Sequence, residues 1–190
     1  MTFNLNMEKS VMPDELFDIV SDADTVTGQE TRAVVHQLGL QHRGVHLLLS
    51  DRVGRLLIQK RSADKRQYAS LWDCSVSEHV QAGESYPDAA VRGAKEEMRV
   101  DVSGLRPLFK FRMEYGPNDN EISVVYEGEV EPASVQFDAE EVSEVAYVQP
   151  SELLASMEQS PQSYCGWFIQ IMKFYSGRPA EFEVIEEGRR

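Results

Sequence analysis

The chain predicts an α/β domain in which a mixed β-sheet is covered by helices on both faces. Three observations carry that reading. Short apolar runs bounded by turn residues fill the first 80 positions, a helical repeat interrupts them, and an apolar stripe at helical spacing closes the chain. At 190 residues the length suits one domain with a full core and is short for two. A single domain is therefore expected over 1–190, with its folded part at about 14–176. Residues 1–12 read as a loose arm and 180–190 as a charged tail.

In chain order, LFDIV (16–20), a polar Asp-Ala-Asp turn and TVTGQETR read as an N-terminal hairpin. VHLLLSDRVGRLLIQKR (45–61) is the clearest hairpin, two apolar runs about a turn at 51–54 in which Gly54 can take positive φ. LWDCSVSEHV reads as one further strand. From Tyr86 to Met98, Ala90, Ala94 and Met98 repeat at helical spacing, and Pro87 is tolerated in the first turn. FKFRMEY (109–115) and ISVVYEGEV (122–130) read as paired strands around GPNDN, and EVAYV (144–148) as the last strand. After Pro150 come a short helix and a longer one, whose stripe is Tyr164, Trp167, Phe168, Ile171 and Tyr175.

Nineteen basic against 32 acidic side chains leave a net charge of −13, which opposes broad contact with nucleic-acid phosphates or anionic lipid. No apolar run approaches the roughly 20 residues that span a bilayer, and the first residues lack a secretory signal pattern. Two cysteines, Cys74 and Cys165, are too few for a disulfide framework and fit a reducing cytoplasm as small buried hydrophobes. A phosphorylated substrate must then be held by a local basic pocket or by bound cations.

Chemistry concentrates in GESYPDAAVRGAKEEMRV (83–100): Glu84, seven residues, Arg92, then Glu96–Glu97. Carboxylates about one helical turn apart can share a divalent cation, which neutralises clustered phosphate charge and acidifies bound water. Glu84 and Arg92 suit an ion pair that orients the loop and the helix. This spacing resembles the Nudix box, G-x5-E-x7-R-E-U-x-E-E-x-G-U, with three departures. Glu78 stands where the first Gly belongs, Gly93 where a Glu belongs, and Arg99 where the last Gly belongs. Gly93 removes one carboxylate and costs the helix roughly 1 kcal/mol relative to Ala. It also lets a substrate or another backbone approach closely.

ELFDIV, RAVVHQLGLQHRGVHLLL, GRLLIQKRS and LWDCSVSEHVQAGE extend the resemblance to the Nudix branch related to isopentenyl-diphosphate isomerase. It implies the Nudix α/β/α sandwich, Mg²⁺ or Mn²⁺ on Glu96 and Glu97, and catalytic duty for Glu96, Glu97 and Glu121. It further implies a second metal site for Zn²⁺ or Mn²⁺ on His42, His79, Asp119, Glu121 and His36 or a neighbour of His36. By the same resemblance, Arg32, Arg61 and Lys65 contact the diphosphate. Of the acid–base pair that isomerisation needs, Ser77 replaces the cysteine and Phe111 falls where a tyrosine is expected. Cys74, three residues before Ser77, is expected on the opposite strand face. A serine hydroxyl is far less acidic than a thiol, which disfavours isomerisation.

By the same resemblance Glu140, Glu141 and Glu144 of the acidic segment 137–145 are further candidates for activating water; Trp72 and Trp167 could stack on a base or cover an isoprenoid, but core packing is the preferred reading of both. The leading expectation is a metal-dependent hydrolase of a small diphosphate-linked metabolite, such as a nucleoside diphosphate derivative, acting as a monomer or homodimer. Two alternatives stand beside it: an isopentenyl-diphosphate isomerase or close variant, and a catalytically impaired diphosphate-binding protein.

Overall fold

The apolar run of residues 16–20 sets the first hairpin in the computed structural model, which describes residues 14–65 and 67–188. The expected N-terminal arm lies outside these residues. β1 (Leu16–Val20) pairs antiparallel with β2 (Val26–Thr31) as a separate two-stranded ribbon, turning Phe17 and Val20 inward. A helix that the sequence reading did not expect follows at once, α1 (Arg32–Leu38), stopped by Gly39 at φ 65°.

The main sheet has eight strands. β3 (His42–Ser50) and β4 (Leu56–Arg61) form the expected hairpin, with Gly54 at φ 77°. The expected single strand LWDCSVSEHV is instead two, β5 (Trp72–Asp73) and β6 (Val76–His79). Ser75 breaks it by donating its hydroxyl to Leu57 O at 2.6 Å and accepting from Leu49 N–H at 2.8 Å. That break resets the side-chain alternation, so Cys74 and Val76 join different core clusters. The expectation that Cys74 and Ser77 face opposite ways is thereby corrected: Cys74 packs in the cluster that holds Trp167, and Ser77 Oγ contacts His46, whose ring lies 6.5 Å from Trp167.

The box helix is α2 (Tyr86–Met98), and the next hairpin is β7 (Arg106–Gly116) with β8 (Asp119–Glu129). Its turn is tighter than GPNDN suggests, because Asn118 takes φ 62° and Asp119 already belongs to the strand. β9 (Val142–Val148), α3 (Pro150–Gln159) and α4 (Gly166–Tyr175) follow, the last two being equally long at ten residues. The expected charged tail is corrected to a strand, β10 (Glu183–Glu187), which extends the sheet by pairing with β7.

Strand order is β10-β7-β8-β3-β4-β5, with β6 also on β3 and β9 also on β4. Among the described residues only the β3–β8 strand pairing is parallel, so the sheet is mixed as expected. Ala89, Ala90, Ala94 and Met98 of α2 pack on one face with Val45, Leu47 and Val76. Leu153 and Met157 of α3 and Trp167, Phe168 and Ile171 of α4 cover the other with Phe109, Phe111 and Val125. The result is an α/β/α sandwich.

Candidate active site

α2 begins at Ser85, whose hydroxyl accepts from Asp88 N–H at 3.3 Å, with Pro87 in the first turn. Arg92 clamps the preceding loop to the helix. Its Nε and Nη2 donate to the two Glu84 oxygens at 2.9 and 3.0 Å, and Nη2 also donates to His79 O at 2.8 Å. Glu84 and Arg92 thus form the expected pair. The expectation that Glu96 and Glu97 project toward a common side is corrected: they diverge, because adjacent helical residues stand about 100° apart. Glu96 turns outward to Arg92 Nη1 at 3.0 Å, whereas Glu97 is buried and accepts from the Gln59 amide on β4. Burial, and after it the charge of Glu78, raises the Glu97 carboxyl to about 8.

The loop after β4 brings cations toward Glu97. The Lys65 ammonium touches Glu141, and burial together with the Arg61 charge lowers its pKa. Arg61 lies 3.4 Å from Asp73 Oδ2, and its Nε is buried with no hydrogen-bond partner. Arg32 starts α1, half exposed and 2.8 Å from Glu15. The acidic segment docks on the end of α2, with Asp138 N–H donating to Glu97 O at 2.9 Å. Glu140 and Glu144 are exposed, and Glu144 lies 3.8 Å from Lys60.

A second centre gathers four elements. His36 comes from α1, His42 from β3, His79 from β6, and Asp119 and Glu121 from β8. Parallel register sets His42 opposite Glu121, and antiparallel register sets Gly44 opposite His79. Gly44 is required there, since any side chain would run into the Glu121 carboxylate. The three imidazole rings are 5.1–5.4 Å apart, and Phe17 stacks on two of them. His36, His42 and His79 form one group whose ligand atoms lie within 4.8 Å of one another, and His42, Asp119 and Glu121 form another. The box carboxylates are in neither. His36, doubtful on spacing, is therefore part of the cluster.

This donor set fits a cation. His36 Nδ1, His42 Nε2 and Asp119 Oδ1 are all buried without a hydrogen-bond partner. His42 donates Nδ1–H to Leu40 O at 3.0 Å, which leaves Nε2 as an unprotonated donor. Burial lowers His42 to about 4 and His79 well below its usual value. Burial, then Asp119, pushes Glu121 well above the carboxylate range.

Sequence reading missed a polar chain that leads from Ser77 on β6 to Glu121 of the second centre. His46 contacts Ser77 Oγ at 3.0 Å and Tyr115 Oη at 2.8 Å. Tyr115 Oη reaches Ser123 Oγ at 2.8 Å, and Ser123 donates to Glu121 Oε2 at 2.9 Å. Phe111, placed at the tyrosine position from sequence, lies instead in the core, 4.4 Å from the Phe182 ring. The two-residue period of β7 carried the missing signal: Phe111 and Tyr115 share a face, so a hydroxyl four residues on falls on the same side. Trp167 is a core residue with a polar tip, its indole N–H donating to Asp73 at 2.8 Å.

A mixed sheet between helices, with Glu84–Arg92 tying a glutamate helix to the loop before it, defines the class of Nudix proteins. The chain belongs to that family: the NUDIX domain model matches residues 40–167. A Pseudomonas aeruginosa protein described as an uncharacterised Nudix hydrolase is 32% identical over 161 residues, 85% of this chain and 93% of the relative. An isopentenyl-diphosphate delta-isomerase of Photorhabdus laumondii is 31% identical over 181 residues, 93% of this chain and 98% of the relative. A crystal structure of a Deinococcus radiodurans protein superposes with a TM-score of 0.71 at 28% identity, covering 84% of this chain and 98% of that one. Among the described residues, no helix is long and apolar enough to cross a membrane.

Proposed function

We propose that this chain is a divalent-metal-dependent hydrolase of a small diphosphate-linked metabolite, such as a nucleoside diphosphate derivative. One observation carries the reading: the box helix turns Glu97 into a buried site to which Lys65 contributes positive charge, with Arg61 on the same loop paired to Asp73. Glu97 would hold Mg²⁺ or Mn²⁺, with Glu96 able to join it by turning from Arg92, and the histidine cluster with Asp119 and Glu121 would hold Zn²⁺ or Mn²⁺. When bound, Mg²⁺ neutralises phosphate charge and acidifies water. Arg61 and Lys65 grip the diphosphate oxygens, with Arg32 adding charge from the α1 side. A carboxylate takes the water's proton, either Glu97, Glu121 or a glutamate of 140–144. Two free, buried cysteines suit a cytoplasmic setting.

A second reading, isopentenyl-diphosphate isomerisation, is favoured by the Tyr115–Ser123–Glu121 chain, which matches a glutamate assisted by a tyrosine. Against it, Ser77 lacks an acidic thiol, and burial raises the Cys74 thiol well above its usual value. The test is a diphosphate panel run separately with Mg²⁺ and Mn²⁺. Released phosphate or nucleoside monophosphate supports the hydrolase. Saturable binding without turnover supports a binding protein instead, and proton exchange into isopentenyl diphosphate supports the isomerase.

A further inference from the structure

Two of the three departures from the box meet in space. Glu78 and Gly93 are far apart in sequence, yet β6 packs directly under α2 at this point. A Cβ built on Gly93 would stand 3.0 Å from Glu78 Cβ, 3.3 Å from Glu78 Cγ and 2.9 Å from Val76 Cγ1. The ordinary box places a glycine on the strand and a glutamate on the helix; here the helix has the glycine and the strand the glutamate. We propose that this is a reciprocal exchange, in which Glu78 supplies from β6 the metal-directed carboxylate ordinarily supplied from position 93, and Gly93 makes room for it. The proposal rests on the metal-dependent reading of the box.

Position makes the exchange chemically workable. Gly93 and Glu97 are one helical turn apart and both buried on the strand-facing side of α2, so a group filling the gap at Gly93 stands beside Glu97. Glu78 is held rather than free: its Oε1 accepts from His79 N–H at 2.8 Å, and its Oε2 lies 3.5 Å from Arg92 Nη1. That same nitrogen is 3.0 Å from Glu96 Oε2, so Glu78 and Glu96 already converge on one cationic atom. Among the described residues, Arg92 is the one cation paired with Glu78, Glu84 and Glu96, so negative charge is in excess, and Glu78 and Glu84 carry theirs where burial makes unpaired charge costly. A divalent cation offsets that excess.

The exchange is tested by Mg²⁺ calorimetry and thermal unfolding on the full chain. Mg²⁺ is the probe because its preference for oxygen ligands keeps it off the histidines. Glu78→Gln, which keeps shape and loses charge, is expected to weaken Mg²⁺ binding by about 10-fold or more. Gly93→Glu alone should unfold several degrees below wild type, since its Cβ meets Val76 and Glu78. Combining it with Glu78→Gly should restore Mg²⁺ affinity to near wild type and recover part of the lost unfolding temperature, the contact with Val76 remaining, a non-additive outcome. Unchanged Mg²⁺ affinity in Glu78→Gln, or a double variant no better than Gly93→Glu, overturns the exchange. If wild type still hydrolyses a diphosphate in that case, the proposed function stands without it. A wild type that neither binds Mg²⁺ nor turns over substrate removes both.

Discussion

The box helix and the histidine cluster sit on one sheet but are built by opposite strategies. Glu84, Arg92, Glu96 and Glu97 come from one loop and one helix, and their acidic groups find partners inside the protein: Arg92 and Gln59. His36, His42, His79, Asp119 and Glu121 come from four elements, and three of their ligand atoms find none. A site with internal partners can hold its shape before ligand arrives; a site of orphaned donors is stabilised by whatever fills it. The difference suggests a division of labour, with chemistry at the box and a resident metal at the histidines.

The largest expected effect tests that division directly. Glu97→Gln should lower kcat/KM for Mg²⁺-supported hydrolysis about 100-fold or more, while His79→Gln should lower it on the order of 10-fold. If steady-state kinetics return the reverse order, chemistry belongs to the histidine cluster. Next in size is metal stabilisation. Zn²⁺ at about 100 times its Kd should add roughly 2.7 kcal/mol, raising Tm by about 5–10 °C in calorimetry. His42→Gln should abolish that gain and Glu97→Gln should keep it.

The same contrast explains what was legible in the sequence. The box helix was readable because its signal is local: a 3.6-residue repeat, a tolerated Pro87 and fixed acidic spacing. The divergence of Glu96 from Glu97 follows from 100° per residue, yet the acidic spacing was read as placing both on a common side, because spacing alone does not show which face the sheet buries. The histidine cluster depends on strand register, which no single segment encodes, so only resemblance to relatives assembled it, and His36 came from a helix that was not expected at all. The β5–β6 break was hidden because Ser75's hydroxyl bonds two neighbouring strands, a partnership visible only in three dimensions. The tail became β10 because Val184, amid acidic residues, lies against Phe111 in register with β7.

The two regions should also respond to pH with opposite signs in metal-free protein. Glu97 has a folded pKa of about 8 against an ordinary value of 4.5, so the folded state holds the extra proton between those values. Stability contributed by Glu97 is therefore present at low pH and is lost as pH rises through that window. His42, at about 4 against 6.5, and His79, also lowered, are neutral when folded and protonate on unfolding. Their contribution is present above 6.5 and is lost as pH falls below it. Each group adds at most about 1.4 kcal/mol per pH unit. Denaturant unfolding across pH 4–8 in chelator should show Glu97→Gln flattening the alkaline fall and His79→Gln the acid fall. Either variant flattening the opposite limb would contradict the assignments.

The smallest effect concerns the third departure from the box, which stands apart from the Glu78–Gly93 contact. Arg99 caps α2 in the left-handed region at φ 53°, where its N–H donates to Ala94 O. A side chain costs about 1–2 kcal/mol in that conformation, which is why the box pattern has glycine there. Its guanidinium recovers part of this through an exposed pair with Asp138 at 2.8 Å, a type of contact worth less than about 1 kcal/mol. Arg99→Gly should then stabilise the protein by about 0.5–1 kcal/mol, a Tm rise of roughly 1–4 °C, with hydrolysis unchanged. Arg99→Ala keeps the backbone cost and loses the pair, so it should destabilise by a few tenths. If both variants lose the same stability, the Asp138 contact outweighs the backbone. A fall in hydrolysis with Arg99→Gly would instead tie the docking of loop 136–141, whose Asp138 N–H bonds Glu97 O, to catalysis at the box.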